Sequence, residues 1–190
     1  MSSRQEALTA NHVCPWWLAY TFDNPVRKLF HQPSKILGSY IEKGMKVVDV
    51  GCGMGFFSIG MAKMVGDEGK VIAIDVQQKM LEITQKRATR AGLAERIFPH
   101  RCQPDELGLK EKVDFILAFW MVHEVRNKKS FFSELHTNLA AGGKILIAEP
   151  KMHVSTEAFQ KTLETARSTG LGLCGQPAIR FSLTALLESI

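Results

Sequence analysis

Long apolar runs are missing from this 190-residue chain. No stretch approaches the roughly 20 consecutive apolar residues that a membrane helix needs, so no spanning helix is expected. The opening residues MSSRQEALTANH lack the apolar core of a secretory signal, which makes a cytoplasmic location the expectation. Cysteine is sparse and scattered. Cys14, Cys52, Cys102 and Cys174 have neither CxxC spacing nor a His-x-x-x-His partner, so free thiols and no metal site are expected. Charge of one sign is not concentrated either. The net charge of +5 and a pI near 9.1 permit an acidic partner. The densest basic cluster, however, is only Arg126 with Lys128 and Lys129, which suits a solvated helix start better than a nucleic-acid groove. A phosphate loop of the GxxxxGK[ST] type is also lacking.

What is present from residue 45 onward is an alternation of short apolar runs with longer amphipathic stretches, the pattern of βα units and a parallel sheet. Strands are predicted over residues 45–50, 70–74, 113–118 and 144–148. A weaker strand over 96–102, interrupted by Pro99, belongs at the sheet edge. Helices are predicted over 34–41, 54–65, 77–91, 127–139 and 155–169, with Gly142-Gly143 stopping the fourth. Residues 171–181 supply two further short strands, reversed near Gln176-Pro177 and therefore antiparallel. The fold class is α/β, a mostly parallel seven-stranded sheet with helices on both faces and an antiparallel last strand. Ahead of this core, residues 14–33 form a distinct segment with Trp16, Trp17, Tyr20 and three prolines. The division is an N-terminal arm over residues 1–33 and one domain over 34–190.

The first strand-to-helix turn, VVDVGCGMGFFS, carries Gly51, Gly53 and Gly55 behind Asp49. In an open α/β sheet, ligands bind beyond the carboxyl ends of the strands, and glycines let a ligand touch the main chain there. The dinucleotide fingerprint G-x-G-x-x-G is broken, because Phe56 stands where its last glycine belongs. Asp49 adds a charge objection: a carboxylate there would repel a pyrophosphate by on the order of 1–4 kcal/mol. The same carboxylate would attract a ligand bearing an ammonium and a sulfonium.

DVGCGMG resembles the D/E-x-G-x-G-x-G motif of class I S-adenosylmethionine-dependent methyltransferases, and the agreement continues in order and spacing from residue 35 to residue 151. VDFILAFWMVHEV is similar to the family's fourth strand and following loop, and ELHTNLAAGGKILIAEP to its ELxRxLKPGGxLxIxEP segment. The resemblance implies a doubly wound Rossmann-like fold and S-adenosyl-L-methionine as cofactor. It places Asp49, Gly51, Cys52 and Gly53 around the donor, with Asp75 on both ribose hydroxyls and Val76 beside it. Ala118 and Phe119 lie at the end of the fourth strand. Where many members have Gly-Asp-Ala after the third strand, this chain has Cys102-Gln103-Pro104-Asp105. Gln103 is the choice for the adenine amino group, with Cys102 and Asp105 as alternatives.

His123 is the candidate general base, since imidazole titrates near neutrality, and capping of the next segment is its other reading. Trp120, Trp16, Trp17 and Tyr20 are candidates for flat walls of the acceptor pocket. The branch resembled is the one that methylates quinols and small metabolites. The loop AFWMVHEV lacks the [ND]PP[YF] sequence used on nucleic-acid amines. A small-molecule acceptor is therefore the expected partner. The alternatives are an RNA or protein substrate, or a cofactor-binding subunit without turnover. A free sheet edge and the aromatic arm leave room for a homodimer.

Overall fold

The computed structural model describes residues 30–190. After a short helix α1 (Pro33–Leu37), the chain runs through β1 (Lys46–Val50), α2 (Phe56–Val65), β2 (Lys70–Asp75) and α3 (Gln78–Arg90). It continues through β3 (Ile97–Arg101), β4 (Val113–Phe119), α4 (Lys128–Asn138) and β5 (Leu139–Pro150), then α5 (Thr156–Arg167), β6 (Leu171–Gly175) and β7 (Ser182–Ser189).

The strands form one seven-stranded sheet in the order β3-β2-β1-β4-β5-β7-β6. The first five are parallel, and β7 runs antiparallel to both β5 and β6. Both faces are covered, as the apolar runs required. In β4 from Phe115 onward, past the register shift at Val113, Phe115, Leu117 and Phe119 pack with α1, α2 and α3, whereas Ile116 and Ala118 pack with α4 and α5. The strand alternates faces with period two. Handedness explains which helices share a face. Right-handed crossovers put α2 and α3 on one side while strands are added in one direction, and α4 and α5 on the other side once the order reverses. That reversal lies between β1 and β4, so their carboxyl ends open on a crevice.

Local chemistry starts the later helices. The side chain of Asn127 accepts from Ser130 N at 3.0 Å ahead of α4, and that of Ser155 accepts from Ala158 N at 3.2 Å ahead of α5. Ser155→Ala is expected to lower stability by about 1 kcal/mol, read from the urea midpoint at unchanged slope.

Two expectations need correction. The fourth helix falls within the expected 127–139, but Gly142-Gly143 do not stop it: it ends at Asn138, and Leu139 already pairs with Val113, so both glycines lie within β5. The last two strands do not both fit in residues 171–181. The second is β7, further along, because residues 176–181 are spent turning the chain back from β6 to its antiparallel neighbour β7. The arm candidates Trp16, Trp17 and Tyr20 lie outside the described residues. Among the described residues no helix is long and apolar enough to cross a membrane. Cys52 and Cys102 are buried free thiols and Cys174 an exposed one.

Candidate active site

The turn from β1 into α2 is a rigid hook. Gly51, Gly53 and Gly55 have φ of 67°, 53° and 77°, the left-handed region that side chains disfavour. They differ in surroundings. A Cβ on Gly51 would meet Met121 Cγ at 2.9 Å, and one on Gly55 would meet Thr84 Cγ2 at 2.7 Å. A Cβ on Gly53 would meet nothing within 4 Å. Two of the glycines thus admit neighbours, and the middle one faces open space.

The hook is bolted to β2 and α3. Cys52 N donates to Ile74 O at 2.9 Å, Gly53 N to Asp75 Oδ2 at 3.0 Å, and Thr84 Oγ1 to Gly53 O at 3.0 Å. Asp75, buried at the end of β2, also accepts from Gln77 N at 2.9 Å through Oδ1. Burial raises its carboxyl from the usual 3.8 to about 6, against the lowering effect of the Gln77 and Gly53 amides. Asp49 is buried below the hook and accepts from Ser58 Oγ at 2.5 Å. Burial first, then Asp49 and Asp75, push the Cys52 thiol well above its normal range, and burial with Asp75 takes Cys102 to about 11. Both stay protonated and inert near neutrality.

Beyond β3, Gln103 and Glu106 pair backbone to backbone, closing a tight loop that Glu134 holds by accepting from Leu107 N at 2.8 Å and Leu109 N at 3.1 Å. Beyond β4, Trp120 takes a left-handed φ of 59° and donates from Nε1 to Ser182 Oγ at 2.9 Å. A 3-10 turn, Val122–Glu124, follows. These loops and the hook enclose one cleft of about 730 Å³, within the roughly 300–1,000 Å³ of small-ligand sites.

Asp49, Gly51, Cys52, Gly53, Asp75, Val76, Gln103, Phe119, Trp120 and His123 all line this cleft, as do the alternatives Cys102 and Asp105. Ala118 does not: it is fully buried in the core beneath the end of β4. Sequence reasoning missed Glu149, at the end of β5, which is buried and accepts from His123 Nδ1 at 2.9 Å. Its signal was available, because an acid ending a buried apolar run is also how Asp49 and Asp75 appear.

These residues fit S-adenosylmethionine. Gly53 leaves the space a Cβ would fill. Asp75 Oδ1 accepts from Gln77 N and Oδ2 from Gly53 N, with the Val76 amide also acting on the carboxylate, and a carboxylate offers about four lone-pair sites, so hydroxyl donors can still be taken. Among the described residues no group of three His, Cys, Asp or Glu side chains is placed to hold a metal ion.

The methyltransferase domain family model matches residues 41–178, and the chain belongs to this family. It is 27% identical over 105 residues to the ubiquinone/menaquinone biosynthesis C-methyltransferase UbiE of Wigglesworthia glossinidia brevipalpis, covering 55% of this chain and 42% of that one. It is likewise 27% identical over 107 residues to a protein-L-isoaspartate O-methyltransferase of Thermotoga maritima, covering 56% and 32%. The chain thus spans less than half the length of these curated relatives. Among solved structures, a SAM-dependent methyltransferase from Aquifex aeolicus superposes with a TM-score of 0.82 at 24% identity, over 92% of this chain and 98% of that one. That likeness carries the fold.

Proposed function

We propose that the chain transfers a methyl group from S-adenosylmethionine to a small-molecule acceptor. The cleft carries this reading: a glycine hook open at Gly53, with the Asp75 carboxylate bolted beside it, at the switch point of the sheet. When bound, the donor supplies an already activated methyl, so the protein's work is to hold donor and acceptor in line. Asp75 takes the ribose hydroxyls, Gln103 the adenine edge, and Phe119 with Val76 the apolar flanks. Asp49, which accepts from Ser58 beneath the hook and lines the cleft, is the acid offered to the donor's cationic groups.

Phe119 and Trp120 form the wall toward the acceptor, with the ring of His31 edge-on to both at 5.2 and 5.0 Å. His31 belongs to the last residues of the N-terminal arm, and the rest of that arm, with Trp16, Trp17 and Tyr20, is proposed as a further wall of the acceptor pocket. The scattered basic residues favour a small molecule over RNA. The isoaspartate methyltransferase relative makes a protein acceptor the second reading.

Calorimetry with S-adenosylmethionine tests the proposal, and its pH dependence tests the assignment. The ionised Asp75 is acceptor-only, so binding is fullest above about pH 6 and declines as pH falls through that value. One proton in competition makes binding about tenfold weaker at about pH 5 than at pH 7.5. Asp75→Asn should flatten this dependence. A folded protein giving no heat at either pH would end the proposal.

A further inference from the structure

We infer that Glu149 is a positioning residue that makes His123 the general base of the cleft, and that the acceptor is a flat apolar molecule whose hydroxyl must surrender its proton. The inference rests on the methyl-transfer reading above and names the acceptor class for that same site.

Glu149 is 2% exposed and three N–H groups converge on it. Val122 N donates to Oε1 at 3.1 Å, while His123 N at 2.8 Å and His123 Nδ1 at 2.9 Å share Oε2. A backbone amide can only donate, so the carboxylate is held as an acceptor and the ring nitrogen facing it carries the hydrogen. The basic lone pair is thereby left on Nε2, in a ring that lines the cleft and is 29% exposed. The two backbone bonds fix the turn and the third fixes the tautomer, so one buried acid sets both the place and the identity of the basic atom.

The charged groups around His123 act in the same direction on balance. The Glu149 hydrogen bond raises its proton affinity above the usual 6.5, and the charges of Glu149 and Glu124 add to this. Burial and Lys128, at the start of α4, oppose it. His153, just beyond β5, lies with its ring nearly parallel at a centroid distance of 6.2 Å. A strengthened base is of use where an acceptor's own proton is held tightly, as on a hydroxyl. A neutral amine attacks with its own lone pair and sheds a proton afterwards. The walls fit a flat body: Phe119, Trp120, Met121 and Phe181 line the same cleft.

The step balances without a further reactant. The acceptor O–H bond breaks with its proton passing to His123 Nε2. The oxygen's electron pair forms the new O–CH3 bond as the methyl's bond to sulfur breaks, its pair staying on sulfur. The imidazolium then returns the proton to water.

Two measurements test this. Nitrogen-detected NMR of wild-type His123 should show the Nδ1–H tautomer and a titration above that of free histidine, and Glu149→Gln should move the titration down. An Nε2–H tautomer in the wild type, which needs no variant, would overturn the role of Glu149, and so would an unmoved titration in a folded Glu149→Gln protein. In the second, methyl-labelled S-adenosylmethionine is offered with p-cresol and with p-nitrophenol at about pH 8. His123→Asn should lose methylation of un-ionised p-cresol by about a hundredfold or more, yet retain that of largely ionised p-nitrophenol. Binding of S-adenosylmethionine with no phenol methylated would sink the acceptor class alone, whereas no binding would sink the methyl-transfer reading as well.

Discussion

Asp75→Ala is expected to weaken S-adenosylmethionine binding at least about a hundredfold, because two hydrogen bonds to a charged acceptor contribute roughly 1.5–3 kcal/mol each. The substitution acts twice. It removes the acceptor for the ribose, and it frees the Gly53 amide that now donates to Oδ2 at 3.0 Å, loosening the hook from β2. Folding stability should respond far less. Burial already raises the carboxyl to about 6, so its ionisation opposes folding: that opposition grows as pH rises through 6 and vanishes below the unfolded value of 3.8. Losing the two amide bonds and losing this penalty therefore offset one another near neutrality. Calorimetry beside urea unfolding separates the two effects. An affinity within threefold of wild type would show that Asp75 does not hold the ligand.

The glycine hook gives the second large effect. Gly55→Val forces a branched side chain into φ 77° and against Thr84, whose Cγ2 would lie 2.7 Å from the new Cβ. Left-handed strain of about 1–2 kcal/mol and overpacking of about 1–3 kcal/mol combine to a loss of about 3 kcal/mol or more. In a chain of this size that lowers Tm by about 10 °C. Gly53→Ala carries only the strain, since its Cβ meets open space. It should keep most of the stability and lose about tenfold or more in S-adenosylmethionine affinity. Equal destabilisation by the two variants, or unaltered binding by Gly53→Ala, would contradict the division of labour within the hook.

Much of this was legible because strands covered on both faces write themselves as unbroken apolar runs. KVVDV, KVIAID and VDFILAF are such runs, and each central strand fell where its residues said. Pro99 likewise marked β3 as the edge. Legibility failed where partners distant in sequence decide. SLTALLES has the leucine, alanine and glutamate of a helix, yet it is β7, because the backbone of β5 lies ready to pair from Ile145 to Pro150. Non-local pairing overrides weak propensity. The glycines at 142 and 143 read as a helix stop, but Leu139 reaches Val113 first. At the site, the motif residues were found because each must touch a ligand of fixed shape. Glu149 escaped because its partners, two main-chain amides and the His123 ring, belong to a turn 26 and 27 residues away.

The placement of β7 between β5 and β6 has a consequence for synthesis on the ribosome. Strands β1 to β5 can assemble in the order in which they are made, but β5 must then wait with one side bare until Ser182–Ser189 have left the exit tunnel. For that interval the nascent protein offers an unsatisfied row of amides and carbonyls to any passing chain, and Trp120 has yet to meet Ser182.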